Sequence, residues 1–203
     1  MAALAVVATV GVGYASSGAR PPADLAVRQF TPNFSSINKE NSHFLNVPRA
    51  GHHVVVGEAP RRIHIPAINL NAPIIQTQLV DGTTWQVADW AVGDMVGSPN
   101  PGTCTVWAGF HDCTTALSGH DDIKGELFRR NIDLQVGDKV YITTKNTVFT
   151  YTVNGKYVVA PYDSSNLFSG TKSIALVSCT PYWVDTSRLI VTARLTYERS
   201  RRG

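Results

Sequence analysis

A cysteine, an arginine and a histidine near the ends of apolar runs are the residues best placed for covalent chemistry in this sequence. Cys179 ends the apolar run Ser173–Ser178 and is followed by Thr180-Pro181. Arg188 opens the next apolar run, Leu189–Tyr197. If the two runs are antiparallel neighbouring strands, Cys179 and Arg188 face each other across the connecting loop. A guanidinium and an imidazolium both stabilise a thiolate, so the pattern suggests a cysteine nucleophile. The competing interpretation is a buried, unreactive thiol.

The histidine that this chemistry requires has two candidates, His111 and His120. Each follows an apolar stretch and a glycine-containing dipeptide, so the residues alone leave the choice open. The three cysteines raise a second question. In an exported protein an odd number suggests one disulfide, Cys104–Cys113, with Cys179 left free. Three reduced, buried cysteines are the alternative.

Short β-branched and aliphatic runs, separated by Pro, Gly, Asn and Asp, predict the elements that position these residues. Their number favours an all-β barrel or sandwich with short helices. One segment, Lys124–Asn131, lacks strand alternation and predicts a helical turn. The predicted strands are Ile63–Ile68, Ala72–Leu79, Thr114–Gly119, Lys139–Thr144, Val148–Val159, Ser173–Ser178 and Leu189–Tyr197.

Three regions are predicted along the chain. Residues 1–19 carry no charge and are largely apolar, which suggests a signal peptide or membrane anchor. Residues 20–59 are rich in Pro, Ser, Asn and His and are interpreted as an extracellular linker. Residues 60–203 then form one folded domain. The formal charge of +3 is scattered, which does not indicate nucleic-acid binding.

Four segments, in order, resemble the sortase family of cysteine transpeptidases. Residues 176–179, Leu-Val-Ser-Cys, are similar to the family's Thr-Leu-x-Thr-Cys motif, with Val177 and Ser178 as departures. Residues 185–191 resemble the segment that presents the family's arginine, and residues 63–74 its opening strand pair. Residues 117–128 are similar to the Gly-His segment of a class D or class E branch.

The resemblance implies a sortase-type closed barrel of about eight strands, with Cys179 as nucleophile, His120 as its proton partner and Arg188 as the oxyanion stabiliser. His120 is preferred to His111 because its spacing to Phe128 fits the family without a gap. Trp107, Phe110 and His111 are then expected in an inserted loop near the site. Asp121 and Asp122 could orient His120 or lie at a helix start, and the helix start is favoured. Tyr182 and Trp183 are expected as groove walls or core anchors.

The implied reaction is cleavage of a Leu-Pro-x-Thr-Gly-like sorting motif at the Thr-Gly bond, through a thioester on the cysteine. Transfer to an amine of the cell wall or of a pilin follows. No metal or organic cofactor is implied, and the expected location is the extracellular face of the cell membrane. Two alternatives stay open: a hydrolytic cysteine endopeptidase, and a non-catalytic extracellular β-domain of the same fold.

Overall fold

The structure is a computed structural model that describes residues 57–80, 84–107, 110–161 and 163–201, without the side chains at positions 106, 107, 110 and 111. The predicted membrane segment over residues 1–19 lies outside the described residues, and so does the predicted linker except for its last three residues. Within the described ranges, no helix has the length and apolar character needed to cross a membrane.

Twelve strands run through the described residues, and eight of them close into a barrel in the order β1, β2, β5, β8, β11, β12, β10, β9. Most neighbours are antiparallel, but β8 and β11 are parallel, as are β2 and β5. The strands are β1 (Arg62–Ile65), β2 (Leu70–Gln76), β3 (Leu79–Val80), β4 (Thr84–Trp85), β5 (Val92–Asp94), β6 (Thr105–Trp107), β7 (Phe110–Asp112), β8 (Thr114–Ser118), β9 (Lys139–Thr143), β10 (Thr147–Val159), β11 (Ser173–Thr180) and β12 (Ser187–Ser200). The predicted all-β fold with a closed barrel of about eight strands is confirmed.

Side chains of the barrel strands divide between an interior core and an outer apolar layer, because alternate residues of a strand point to opposite faces. Ile174 and Leu176 of β11 belong to the interior core. Ala175 and Val177, which lie between and beside them, belong to a second buried cluster on the outer face, together with Ile190 of β12. Cys179 has the same parity as Ala175 and Val177, so it belongs to the outer face.

The predicted helical turn over Lys124–Asn131 is wrong. Residues 121–130 form bends and turns, and a short 3-10 helix begins only at Asn131–Asp133. The backbone explains the failure, since Lys124, Gly125 and Glu126 have φ angles of 51°, 93° and 49°. A right-handed helix requires negative φ at every residue, so three successive left-handed residues exclude one.

Residues around the two neighbouring cysteines form an inserted hairpin, β6 paired with β7, outside the barrel. A disulfide joins Cys104 to Cys113 at its base, which confirms that pairing and leaves Cys179 as the free cysteine. The hairpin leads into the first residue of β8, whereas His120 follows the last one. The base of the inserted segment is therefore at the opposite end of β8 from His120, and the placement of Trp107, Phe110 and His111 near the site stays a prediction.

Candidate active site

Cys179 lies near the end of β11 and faces Arg188 across an antiparallel ladder. The two residues are direct partners in the β11–β12 register, as the sequence predicted. Their side chains share the outer face of the barrel with Val177 and Ile190, both of which are buried. Each of the two is itself only partly exposed. The sulfur and the guanidinium therefore lie at the end of an apolar strip, where water competes less for polar contacts.

His120 reaches the same edge of the barrel from the neighbouring strand. The parallel register pairs Leu117 with Leu176 and Ser118 with Val177. The ladder continues one step further, since the Gly119 amide donates to the Val177 carbonyl at 3.1 Å. His120 lies two residues beyond Ser118, and Cys179 lies two residues beyond its partner Val177, so the two are at the same level of the parallel strands. The structure thus brings His120, Cys179 and Arg188 to one end of three adjacent strands.

A glycine immediately before the histidine is required by packing. A Cβ at position 119 would lie 2.8 Å from the ring of Phe128. Phe128 is fully buried, and its amide donates to the His120 carbonyl at 2.9 Å. The aromatic ring therefore lies against the backbone that carries the imidazole. This contact explains the spacing between His120 and Phe128 in the Gly-His segment.

The imidazole of His120 lies beside an acidic residue that the sequence analysis did not identify. His120 Nε2 is 3.6 Å from Asp89 Oδ1, and Lys124 Nζ is 2.8 Å from Asp89 Oδ2. The hydrogen bond from Lys124 holds the pKa of the Asp89 carboxyl below its usual value. Asp89 lies between β4 and β5, and no motif singled it out. Its carboxylate can orient the imidazole while remaining charged.

Arg188 is held by backbone carbonyls at the start of β12. Its Nη1 donates to the carbonyls of Asp185 and Ser187, at 3.0 Å and 2.8 Å. A guanidinium carries several further N–H donors in a fixed plane. These can stabilise an oxyanion that forms beside the facing sulfur.

Two carboxyl groups lie close to the sulfur, and a third, that of Asp122, is hydrogen-bonded to one of them, Asp185. One ligand atom from each of Asp121, Cys179 and Asp185 lies within 4.8 Å of the others. Asp121 and Asp122 are 5% and 7% exposed, so neither caps an exposed helix start, and that favoured expectation is wrong. Burial, then repulsion from Asp185 and Asp122, raises the pKa of Asp121 to about 6. The pKa of Asp185 is also raised, first by burial and then by Asp122.

The environment of Cys179 favours the neutral thiol. Burial raises its pKa to about 11. Arg188 acts in the opposite direction, whereas Asp185, Asp121 and Asp122 reinforce the effect of burial. At neutral pH the resting sulfur therefore carries its proton. An attack by this cysteine needs a base that removes the proton during the reaction, and His120 is the imidazole at the same edge.

The same donors could chemically hold a metal ion, since a thiolate and two carboxylates suit a borderline cation such as zinc. A metal bound there would occupy the sulfur lone pairs. The thiol could not then act as a nucleophile. Nucleophilic catalysis and metal binding at this site are therefore mutually exclusive uses of Cys179.

Two aromatic residues, Tyr182 and Trp183, follow the cysteine in the loop after β11. Tyr182 and Trp183 are 36% and 65% exposed, so they are not core anchors. The Tyr182 hydroxyl donates to Glu126 at 3.3 Å, and the Arg129 guanidinium lies 4.5 Å from the centre of its ring. Arg129 also pairs with Glu126 at 2.7 Å. These contacts tie the loop after β11 to the turn that follows His120.

An apolar strip leads away from Cys179 along the outer face of the barrel. Ala175, Val177 and Ile190 form it, and Leu167 packs against it from the segment that connects β10 to β11. The far end of that segment is bound to the hairpin base, because the Cys113 amide donates to the Ser169 carbonyl at 2.9 Å. The strip thus runs between the polar site at one end and the disulfide hairpin at the other.

Comparison with known proteins gives one family match and many structural matches. The family model described as "Sortase domain" matches residues 63–196. No curated protein sequence matches the chain.

Three solved structures illustrate the structural similarity. A sortase A lid mutant from Corynebacterium diphtheriae has 27% identity and a TM-score of 0.57, covering 74% of both chains. Sortase C1 from Streptococcus suis has 25% identity and a TM-score of 0.58, covering 69% of this chain and 74% of its own. Sortase C-1 from Actinomyces oris has 27% identity and a TM-score of 0.55, covering 68% and 73% respectively.

Proposed function

The chain belongs to the sortase family, and from that premise we propose that it cleaves a Leu-Pro-x-Thr-Gly-like sorting motif at the Thr-Gly bond and transfers the new acyl end to an amine. Cys179 is the nucleophile, His120 the general acid and base, and Arg188 the oxyanion stabiliser. The observation that carries this proposal is the convergence of the three residues at one edge of adjacent strands, with Cys179 directly opposite Arg188.

The first half of the reaction makes a thioester. The Cys179 sulfur attacks the threonine carbonyl carbon as its proton passes to His120. The carbonyl oxygen becomes an oxyanion, and the Arg188 guanidinium donates to it. Losing such a donor typically costs about 3 kcal/mol of transition-state stabilisation. The C–N bond then breaks, and the proton on His120 moves to the departing glycine amine.

The second half transfers the acyl group. An amine nitrogen attacks the thioester carbonyl carbon, and a second oxyanion forms beside Arg188. As the C–S bond breaks, a proton leaves the nitrogen through His120 and returns to the sulfur. Cys179 is regenerated as a thiol, which is the form that its surroundings favour. One imidazole therefore acts in both directions of proton transfer.

Two exposed aromatic side chains support binding of the sorting motif. Tyr182 and Trp183 follow the nucleophile in the chain and are 36% and 65% exposed. A leucine and a proline bind best against apolar and aromatic surface of this kind. The strip of Ala175, Val177 and Ile190 is at most 4% exposed, so it supports the strand ends from below and does not contact the peptide. We therefore expect the peptide to contact the two aromatic side chains, with its threonine at Cys179.

Export to the extracellular face of the membrane, through residues 1–19, belongs to the same proposal. The Cys104–Cys113 disulfide supports it, because such bonds persist in oxidising compartments. Membership of a class D or class E branch is proposed from residues 118–123, Ser-Gly-His-Asp-Asp-Ile. A cell wall peptide or a pilin lysine would supply the amine.

Mass spectrometry of the purified full chain in detergent would test the activity. The protein is incubated with a Leu-Pro-x-Thr-Gly peptide library and an amine, either a glycine peptide or a lysine peptide. Cys179→Ala serves as the matched control. An amide-joined product that the control lacks is the expected result. Acid product alone would indicate an endopeptidase, and no Cys179-dependent product with any peptide would contradict the assignment.

A further inference from the structure

The carboxyl groups beside Cys179 take no part in the steps proposed above for forming the thioester. Asp121 follows His120 directly, and Asp185 lies in the loop between β11 and β12. Both carboxyls make the thiol harder to ionise, so they oppose the first half of the reaction. Their position within 4.8 Å of the sulfur therefore requires a different explanation.

Asp121 has the features of a ligand-binding group. Asp121 is only 5% exposed, yet its Oδ1 atom has no hydrogen-bond partner. A buried carboxylate oxygen without a donor is costly unless a ligand supplies one. Asp185 contributes a second carboxyl to the same space and is itself hydrogen-bonded to Asp122. Asp121 and Asp185 both lie near one guanidinium, Arg188, so this group of side chains holds more acidic than basic residues and suits a cationic ligand.

We propose that Asp121 and Asp185 form the binding site for the acyl acceptor and select it as a primary ammonium. This inference rests on the proposed transpeptidase function and names the substrate class of its second step. Water and other neutral nucleophiles gain no ionic contact there. The cluster would therefore favour aminolysis of the thioester over hydrolysis.

The distances suit this role. In the acyl-enzyme the carbonyl carbon is bonded to the Cys179 sulfur, and an attacking nitrogen approaches that carbon to about 3 Å. Carboxylate oxygens within 4.8 Å of the sulfur can come within hydrogen-bonding distance of a nitrogen that approaches from their side. An ammonium between Asp121 and Asp185 can donate to both while its nitrogen faces the thioester.

The attacking ammonium loses two protons during aminolysis, and Asp121 accepts the first of them. An ammonium must lose one proton before its lone pair can attack, and that proton passes to the Asp121 carboxylate and then to water. The C–N bond forms and the C–S bond breaks. A second proton leaves the nitrogen through His120 and converts the Cys179 thiolate to the thiol. The pKa of Asp121, raised to about 6, makes its carboxylate a better base than an ordinary aspartate.

The test measures how the acyl-enzyme divides between amine and water. The full chain is acylated with a sorting peptide, the concentration of a lysine peptide is varied, and amide and acid products are quantified by mass spectrometry. The amine concentration that gives equal products does not depend on the acylation rate. Hydroxylamine, a neutral nucleophile at the assay pH, is run in parallel.

Asp121→Asn and Asp185→Asn preserve side-chain shape and remove one charge each. Loss of one charge-assisted hydrogen bond should raise the required lysine-peptide concentration roughly tenfold. The hydroxylamine concentration that gives equal amounts of the hydroxylamine product and the acid should stay within a factor of about two of the wild-type value, since no ionic contact is lost. Asp185→Glu keeps the charge and should retain much of the preference for the lysine peptide over water that Asp185→Asn loses. Asp133→Asn is the matched control, because that carboxylate pairs with Arg130 on an exposed turn.

The possible results are distinguishable. An acyl-enzyme that partitions identically in wild type, Asp121→Asn and Asp185→Asn would overturn the acceptor site alone. An equal fall in the yield of lysine-peptide product and of hydroxylamine product in the variants would also overturn it, because the carboxyls would then not distinguish a charged nucleophile from a neutral one. Absence of any acyl group on Cys179 in the wild type would overturn the proposed transpeptidase and this inference with it.

Discussion

Replacing Asp185 by asparagine should lower the pKa of the Cys179 thiol and make it react faster. A carboxylate oxygen of Asp185 lies within 4.8 Å of the sulfur. Coulomb's law at that distance gives about 0.9 kcal/mol in bulk water and about 3.5 kcal/mol at an effective dielectric constant of about 20. Since Asp185 is exposed and Cys179 partly exposed, the lower value sets the minimum. It corresponds to a fall of about 0.6 pKa units.

The expected change in rate is smaller than the change in thiolate. A fall of about 0.6 units below a pKa of about 11 gives roughly four times more thiolate at any lower pH. A less basic thiolate is also less nucleophilic, by about half as much on a logarithmic scale. The net expectation is a reaction that is at least about twofold faster.

Alkylation by iodoacetamide, followed by mass spectrometry, measures this directly. Cys104 and Cys113 are joined to each other, so Cys179 is the thiol that reacts. Rates over a pH range that brackets the thiol pKa give that pKa for each variant. Arg188→Ala should change the rate in the opposite direction, because a stabilising cation is removed. An unchanged or higher pKa in Asp185→Asn would refute the electrostatic account of this site.

Three further predictions concern other parts of the molecule. His120→Ala should abolish peptide transfer, whereas His111→Ala should retain it; the reverse pattern would show that the wrong histidine was chosen. Burial raises the pKa of Asp94 to about 7, so the folded state binds this proton more tightly than the unfolded chain, and stability falls as pH rises from about 4 towards 7. Asp94→Asn should therefore increase the free energy of unfolding at pH 8 by up to about 4 kcal/mol, with little effect near pH 4, as measured in urea. Replacing Cys104 and Cys113 together by serine should lower the free energy of unfolding by about 2.5 kcal/mol, and an unchanged urea midpoint would contradict this.

The pairing of Cys179 with Arg188 could be predicted because it depends on local rules. Two apolar runs joined by a short loop form antiparallel neighbours, and the loop length limits which residues can face each other. The choice of His120 required more, since His111 also follows an apolar run. Only the family spacing to Phe128 separated them, and packing of that ring against Gly119 is the physical basis of the spacing.

Features that depend on loops could not be predicted. Asp89 approaches His120 from a segment distant in sequence, and no periodic pattern marks such a contact. The prediction of a helical turn after His120 was wrong because Lys124 and Glu126 adopt left-handed backbone conformations. Such conformations are usually marked by glycine, and these two residues are not glycines, so the sequence did not indicate them. The prediction that Asp121 lies at a helix start was wrong for the same reason. Because no helix begins there, its side chain is buried beside that of Asp122.

The disulfide hairpin has a consequence for protein engineering. The Cα atoms of Cys104 and Cys113 are 4.0 Å apart, so the chain leaves and re-enters the scaffold at almost one point. Segments with adjacent ends can usually be exchanged or extended without moving the rest of a domain. Foreign peptides could therefore be grafted between the two cysteines, to give the enzyme a new recognition element at the far end of the apolar strip while its chemistry stays intact.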